Sequence, residues 1–277
     1  MSAVAETFDV ARSNLYDSQK DDRPKRRRKY GKRRDDDFYL SLIHPIVRDL
    51  PSYGYPRVTV VLNRELERLE RPTVNPKRVY RIMRVYGLLL QKHTGKPTRT
   101  HNGVIITLRS DMRWCSDTLE IGCWNGQKVR MAFSLDCCDR EVISHVSATS
   151  GISGEMIRDL MVESIESRFG AVEKLPKPIE WLSDNGSIYT AHETRDFALK
   201  LGFIPCRTPV YSPESNGMAE AFVKTFKRDY VQFGDLTDAE TVMLQIPQWM
   251  EHYNEVHPHR GLKMKSPREF RKSQMTA

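Results

Sequence analysis

Apolar positions recur three and four residues apart in the first third of the chain, and then the rhythm changes to alternation. Leu42, Ile43, Ile46 and Val47 form a helical stripe that Asp37 is placed to cap. The turn-forming run Pro51-Ser52-Tyr53-Gly54-Tyr55-Pro56 ends it. Val58, Val61, Leu62, Leu66 and Leu69 then predict a second helix, and Val79, Ile82, Met83 and Tyr86 a third. Lys77, Arg78, Arg81 and Arg84 fall on the outer face of the third. Residues 38–90 thus read as a small all-α unit. A short helix, a turn and a basic helix suit a helix-turn-helix DNA reader, although a plain three-helix bundle with a charged surface has the same pattern.

Residues 91–110 are polar, basic and turn-rich, and read as a linker. Beyond it, Arg113 to Ile121 and Lys128 to Asp136 are strand-like, with Val129, Met131, Phe133 and Leu135 alternating and Asn125-Gly126 marking a hairpin turn. A third strand is predicted over Glu141–Ala148. Ser153 is placed to cap a helix bearing Met156, Ile157, Leu160, Met161 and Ile165. Short strands at Ile179–Leu182 and Phe203–Cys206 flank a helix over Glu193–Leu201 that Gly202 stops. Two long helices follow, over 216–233 and 238–253. Hairpin strands followed by alternating strands and helices predict an α/β unit over 111–272, a mixed sheet with helices packed on it.

The charge is distributed unevenly. Of 277 residues 44 are Lys or Arg and 36 are Asp or Glu, a net charge of +8. Arg23 to Arg34 alone holds nine Lys/Arg and no acid, so the remainder is close to neutral. Residues 1–37 read as a flexible basic arm in which Arg26, Arg27 and Arg28 are candidates for phosphate contact. Asp35, Asp36 and Asp37 close the run as a solubilising or capping patch. No apolar run approaches the length of a membrane helix, and no signal peptide is evident. Five cysteines without a CxxC spacing fit a reducing cytoplasm, for a nucleoid-associated protein, better than a disulfide framework or a zinc site.

Three acids fall where this layout places functional groups. Asp117 lies midway along the first strand, Asp184 ends a short strand ahead of Asn185-Gly186, and Glu220 opens a long helix. Three carboxylates brought together repel one another, and a divalent cation relieves the repulsion. Oxygen donors favour Mg²⁺ or Mn²⁺, and a pair of such ions can serve an in-line phosphoryl transfer. Spacing alone does not prove that the acids meet: Asp117 could pair with an arginine, Asp184 could start a turn and Glu220 could face water. Lys224, Lys227 and Arg228 share a helical face with Glu220, while Phe222, Val223, Phe226 and Tyr230 lie on the opposite side. A face of that composition can hold a metal at one end and grip DNA phosphates along the rest, or can be a set of surface ion pairs.

Trp114-Cys115-Ser116-Asp117, Trp181-Leu182-Ser183-Asp184-Asn185-Gly186 and Ser212-Pro213-Glu214-Ser215-Asn216-Gly217-Met218-Ala219-Glu220 resemble the catalytic core of DDE transposases and retroviral integrases. Thirty-five residues separate Asp184 from Glu220, the spacing characteristic of that family. The likeness is strongest to the downstream-frame transposase (OrfB) of bacterial insertion sequences encoded in two reading frames. Tyr53-Gly54-Tyr55-Pro56-Arg57 and Lys77-Arg78-Val79-Tyr80-Arg81-Ile82-Met83 resemble its N-terminal helical domain. His252-Tyr253-Asn254, His257-Pro258-His259 and Ser266-Pro267-Arg268-Glu269 resemble its C-terminal signature.

The resemblance implies an RNase H-like five-stranded sheet with Asp117 on the first strand, Asp184 after the fourth and Glu220 on the helix behind. It implies that these three are catalytic metal ligands for Mg²⁺ or Mn²⁺, two ions in all, and that Lys224 and Lys227 contact the DNA end. Asp136 is a competing acid for the first ligand and Glu214 for the third, while His252, His257 and His259 read as structural or DNA-side groups. The expected function is metal-dependent 3′-end cleavage and strand transfer on double-stranded DNA, at element ends and target, by a homo-oligomer. In this family the active form is usually a fusion with the upstream-frame protein, whose coiled coil has no counterpart here. Two rivals remain: a non-catalytic DNA-binding relative, indifferent to loss of Glu220, and an RNase H-like nuclease that cuts without joining.

Overall fold

A computed structural model describes residues 31–33, 35–91, 107–207 and 217–275. Arg26, Arg27 and Arg28, most of the linker, and the stretch Ser212–Asn216 with Glu214 lie outside the described residues.

The helical unit consists of α1 (Asp36–Asp49), α2 (Tyr55–Arg68) and α3 (Pro76–Val85). Ile43, Val58, Leu62, Leu66, Val79, Ile82 and Met83 are fully buried between them, as the three- and four-residue periodicity requires. The connection from α2 to α3 is pinned by Asn63, whose side chain accepts from Val74 N at 2.8 Å and donates to Val74 O at 3.2 Å. Asn75 then caps α3 by accepting from Lys77 N, with Pro76 at the first helical position. Several expectations fail here. Asp37 lies inside α1, whose N-cap is Asp35, and makes no cap. Leu69 sits just past the end of α2 and is 46% exposed. Arg81 is buried rather than on the outer face, because its guanidinium forms a two-pronged pair with the fully buried Asp36. Asp36 is therefore neither a solubilising residue nor a cap.

The α/β unit is built on a five-stranded sheet in the order β3-β2-β1-β4-β5. Its strands are β1 (Arg113–Gly122), β2 (Lys128–Asp136), β3 (Val142–Ala148), β4 (Ile179–Ser183) and β5 (Phe203–Arg207). The first three form an antiparallel meander, and β4 and β5 add in parallel on the other side of β1. Gly126 takes φ +86 in the hairpin between β1 and β2, the left-handed conformation the Asn-Gly turn calls for. The helices are α4 (Gly154–Phe169), the short α5 (Ser187–Thr190), α6 (His192–Leu201), α7 (Gly217–Asp229), α8 (Ala239–Glu255) and α9 (Pro267–Met275).

Both faces of the sheet are covered. On one, Cys115, Leu119, Ile121, Met131, Phe133 and Leu135 meet Phe222, Phe226 and Tyr230 of the α7 region and Val242, Ile246 and Met250 of α8. On the other, Trp114, Ala132, Trp181 and Phe203 meet Ile157, Leu160 and Met161 of α4 and Ala198 of α6. Ser153 caps α4 by accepting from Met156 N at 3.2 Å. Gly202 ends α6 in the left-handed conformation, where an added Cβ would also crowd Leu175 at 3.3 Å. Helices α5 and α9 are not anticipated by the apolar pattern. Helix α9 opens on a reciprocal capping box, Ser266 N to Glu269 Oε2 at 2.8 Å and Glu269 N to Ser266 Oγ at 3.3 Å.

Candidate active site

Strands β1 and β4 run parallel with Cys115 opposite Leu182. Carrying the same offset two residues further places Asp117 beside Asp184, at the end where β4 stops and the sheet opens. Side chains alternate across a strand, so Asp117 shares the face of Cys115, and Asp184 that of Leu182. That face is the one α7 covers, through Ala219, Phe222 and Phe226. Phe222 packs against Phe133 with ring centroids 4.5 Å apart, which fixes the first turns of α7, and with them Glu220, over β1 and β2.

Asp117 senses the other two acids. Partial burial raises the Asp117 carboxyl above the usual carboxylate range, and the negative fields of Asp184 and Glu220 raise it further, against the lowering effect of the Thr118 N–H. Each acid also has a partner close at hand. Thr118 N donates to Asp117 Oδ1 at 2.7 Å, and Gly186 N donates to Asp184 Oδ1 at 2.9 Å. A Cβ on Gly186 would lie 2.9 Å from that same oxygen, so a larger residue there would push the Asp184 carboxylate aside. Glu220 faces Lys224 one turn along α7 at 3.4 Å. Among the described residues, no three His, Cys, Asp or Glu side chains are gathered closely enough to hold a metal ion.

Beneath the pair lies a tyrosine that the sequence did not single out. Tyr189 of α5 is buried, with its hydroxyl 2.9 Å from Ser116 Oγ. Burial raises its hydroxyl well above the ordinary tyrosine value; the Ser116 hydrogen bond works against this, and the charges of Asp117 and Asp184 add to it. Tyr189 thus stays protonated and ties β1, at the residue before Asp117, to the segment after Asp184. Its position five residues after Asp184 was the available signal.

The other candidates divide. Lys77, Lys224 and Lys227 are exposed. Arg78 is half-buried, paired with Asp35 at 2.6 Å and stacked over Tyr39 at 4.1 Å. Arg81 is withdrawn as a DNA contact by its pair with Asp36. Arg228 turns back onto Asp229, with Nε to Oδ1 at 2.5 Å, and so leaves the Glu220 face. Asp136 is fully buried and structural: it accepts from Asp111 N, Cys138 N and Asp139 N, and lies 3.4 Å from Arg168. His257 and His259 are buried beside Tyr53, Tyr230 and Tyr253, and burial lowers both, His259 to about 3. They are neutral packing groups.

Residues 108–213 and 202–267 match two models of the integrase core domain, and residues 33–96 match a model of an HTH-like domain. The chain is 47% identical over 239 residues to transposase InsD for insertion element IS2A/D/F/H/I/K of Escherichia coli, covering 85% of this chain and 79% of that one. Transposase InsD for insertion element IS2-9 of Escherichia coli strain K12 is also 47% identical, with 85% and 77% covered. Among solved structures, the simian T-cell lymphotropic virus intasome in complex with PP2A regulatory subunit B56 gamma is similar in fold, with a TM-score of 0.50 and 14% identity over 80% of this chain and 71% of that one. The chain therefore belongs to the family of insertion-element transposases built on an integrase core.

Proposed function

We propose that the chain carries out the 3′-end cleavage and the strand transfer of an insertion sequence, with Asp117, Asp184 and Glu220 as the catalytic carboxylates. The observation that carries this reading is the register of β1 and β4, which sets Asp117 beside Asp184 on the face that α7 covers with Glu220. The donor set fits a divalent cation of the Mg²⁺ or Mn²⁺ kind. All its ligating atoms are carboxylate oxygens, and Asp117 is raised chiefly by burial, with two neighbouring acids adding to it and no arginine lowering it. Two such ions would supply Lewis acidity at the attacking and leaving oxygens of the phosphodiester.

The chain's own groups do the positioning. Ser116 and Tyr189 hold β1 and the β4 exit together from below. Gly186 keeps the Asp184 turn tight. Lys224 and Lys227, exposed along α7, grip the phosphates of the DNA end once Glu220 is drawn toward its two partners. Helix α3, with Lys77 and Arg84 exposed, reads the flanking duplex, and the basic residues Arg26, Arg27 and Arg28 add sequence-independent affinity. The working form is a homo-oligomer, acting with the upstream-frame protein as a fusion.

The test is a labelled duplex carrying the element end, incubated with Mg²⁺ or Mn²⁺ and either wild type or Glu220→Gln. Metal-dependent joined products that vanish in the variant sustain the reading. Products that persist in Glu220→Gln, or hydrolysis that never leads to joining, would refute it.

A further inference from the structure

Two sequence signatures far apart in the chain meet at one buried joint between the helical unit and the core. Tyr53, just ahead of α2, places its hydroxyl 2.8 Å from His257 Nδ1, and both side chains are essentially inaccessible to water. Arg57, in the first turn of α2, reaches Asp229 at 3.1 Å. Arg64, two turns further on, donates to Val256 O at 2.6 Å and to Glu269 Oε2 at 2.6 Å. One helix of the helical unit thereby holds the end of α7, the exit of α8 and the start of α9.

The contact to Asp229 has a particular consequence. Asp229 is the last residue of α7, and Glu220 is in its first turn. Nine residues of helix place the two about 13 Å apart on one rigid rod. Helix α2 in turn packs on α3 through Leu62, Leu66, Val79 and Ile82. A continuous packed path therefore runs from α3 through Arg57 and Asp229 to Glu220 and Lys224. We propose that Arg57 is a positioning residue for strand cleavage: through Asp229 the helical unit sets the register between the DNA it holds and the carboxylate on α7. This rests on the cleavage chemistry proposed above. Asp229 keeps a second cation when Arg57 is removed, because Arg228 donates to both its oxygens at 2.5 and 2.6 Å. Loss of Arg57 therefore leaves no bare buried carboxylate, and the variant folds.

The experiment compares full-length wild type, Arg57→Ala and Arg57→Lys on the labelled end duplex with Mg²⁺. It reads the maximal cleavage rate, the half-saturating DNA concentration, the position of the cut, and hydrogen exchange of the amides at the end of α7. Arg57→Ala is expected to lower the maximal rate about tenfold to a hundredfold. Half-saturation stays unchanged, cuts spread to neighbouring phosphodiesters, exchange around Asp229 rises, and Arg57→Lys restores part of the rate. An unchanged rate overturns the inference even if exchange rises. So does a loss seen only as weaker half-saturation, which would make Arg57 an ordinary DNA contact. If wild type yields no metal-dependent product, the chemistry reading fails on its own. Exchange then decides the clamp: unchanged in Arg57→Ala it is refuted, raised it stands.

Discussion

The sheet carries two groups of acids at β1 and its neighbours, and they are handled in opposite ways. At one end Asp111, Asp136, Asp139 and Glu141 surround Arg168, whose side chain is 1% exposed. Arg268 and Arg271 close on Glu141 from α9 at 2.9 and 3.2 Å. Burial pulls the Arg168 pKa down, and the fields of the four acids more than offset it. Further along, where β4 stops, Asp117, Asp184 and Glu220 are held by Thr118 N, Gly186 N and Lys224, and no arginine pairs with them among the described residues. The first group is neutralised from within the chain and serves the fold. The second is left with surplus negative charge, and it is this group that the proposed function completes with a cation from solution. The two groups differ less in the number of acids than in the number of cations the chain supplies to them.

The contrast can be broken at either end. The largest effect belongs to chemistry: Glu220→Gln and Asp117→Asn should each cost several kcal/mol of transition-state stabilisation, about a thousandfold in joining rate. Their urea midpoints should stay near that of wild type. Arg168→Met should do the reverse, lowering unfolding free energy by about 3–5 kcal/mol because it strands buried carboxylates. Chemical denaturation followed by tryptophan fluorescence reads this directly, and an unchanged midpoint would mean that the cluster needs no internal cation.

A pH series tests the same group more gently. Asp136 is pushed up to about 7, chiefly by burial, from the ordinary aspartate value of 3.8. A folded value above the unfolded one gives stability that is complete below about pH 4 and lost as pH rises through about 7. Unfolding free energy should therefore fall across that window, and Asp136→Asn should flatten the slope. The smallest effect is at the exposed pair of Lys224 and Glu220. Lys224→Ala should change stability by no more than about 0.5 kcal/mol. It should also reduce the salt dependence of DNA-end binding by about one ion.

What the sequence showed, and what it hid, follows the distance between partners. The Asn125-Gly126 turn, the Ser153 cap and the Gly202 stop are local chemistry, and each stands where it was read. Phe222 and Phe226 faced inward as the helical period required. Arg81 misled because its partner Asp36 lies 45 residues upstream, and the pattern alone could not distinguish a charged outer face from a buried ion pair. Leu69 continued the stripe past the point where α2 ends. Helix α9 has little apolar content, yet its Ser266-x-x-Glu269 capping box was there to read. The meeting of Tyr53 with His257, across 204 positions, was beyond any local pattern, although both belonged to motifs already singled out.

The strand order also dictates a schedule for the growing polypeptide. The β1–β3 meander can close as soon as residue 148 leaves the ribosome, since its pairings are sequential. Strand β4 is still thirty residues away. At ordinary synthesis speeds the flank of β1 that it will occupy stays unpaired for roughly 2–6 s. That flank bears Trp114 and Cys115, both later fully buried, so the nascent chain carries a sticky border for that interval and is most prone then to clumping with its neighbours. The same delay is protective. Asp117 is made early, Asp184 only with β4, and Glu220 later still. On the proposed assignment, a chain still short of Glu220 lacks one of the three carboxylates that cutting requires.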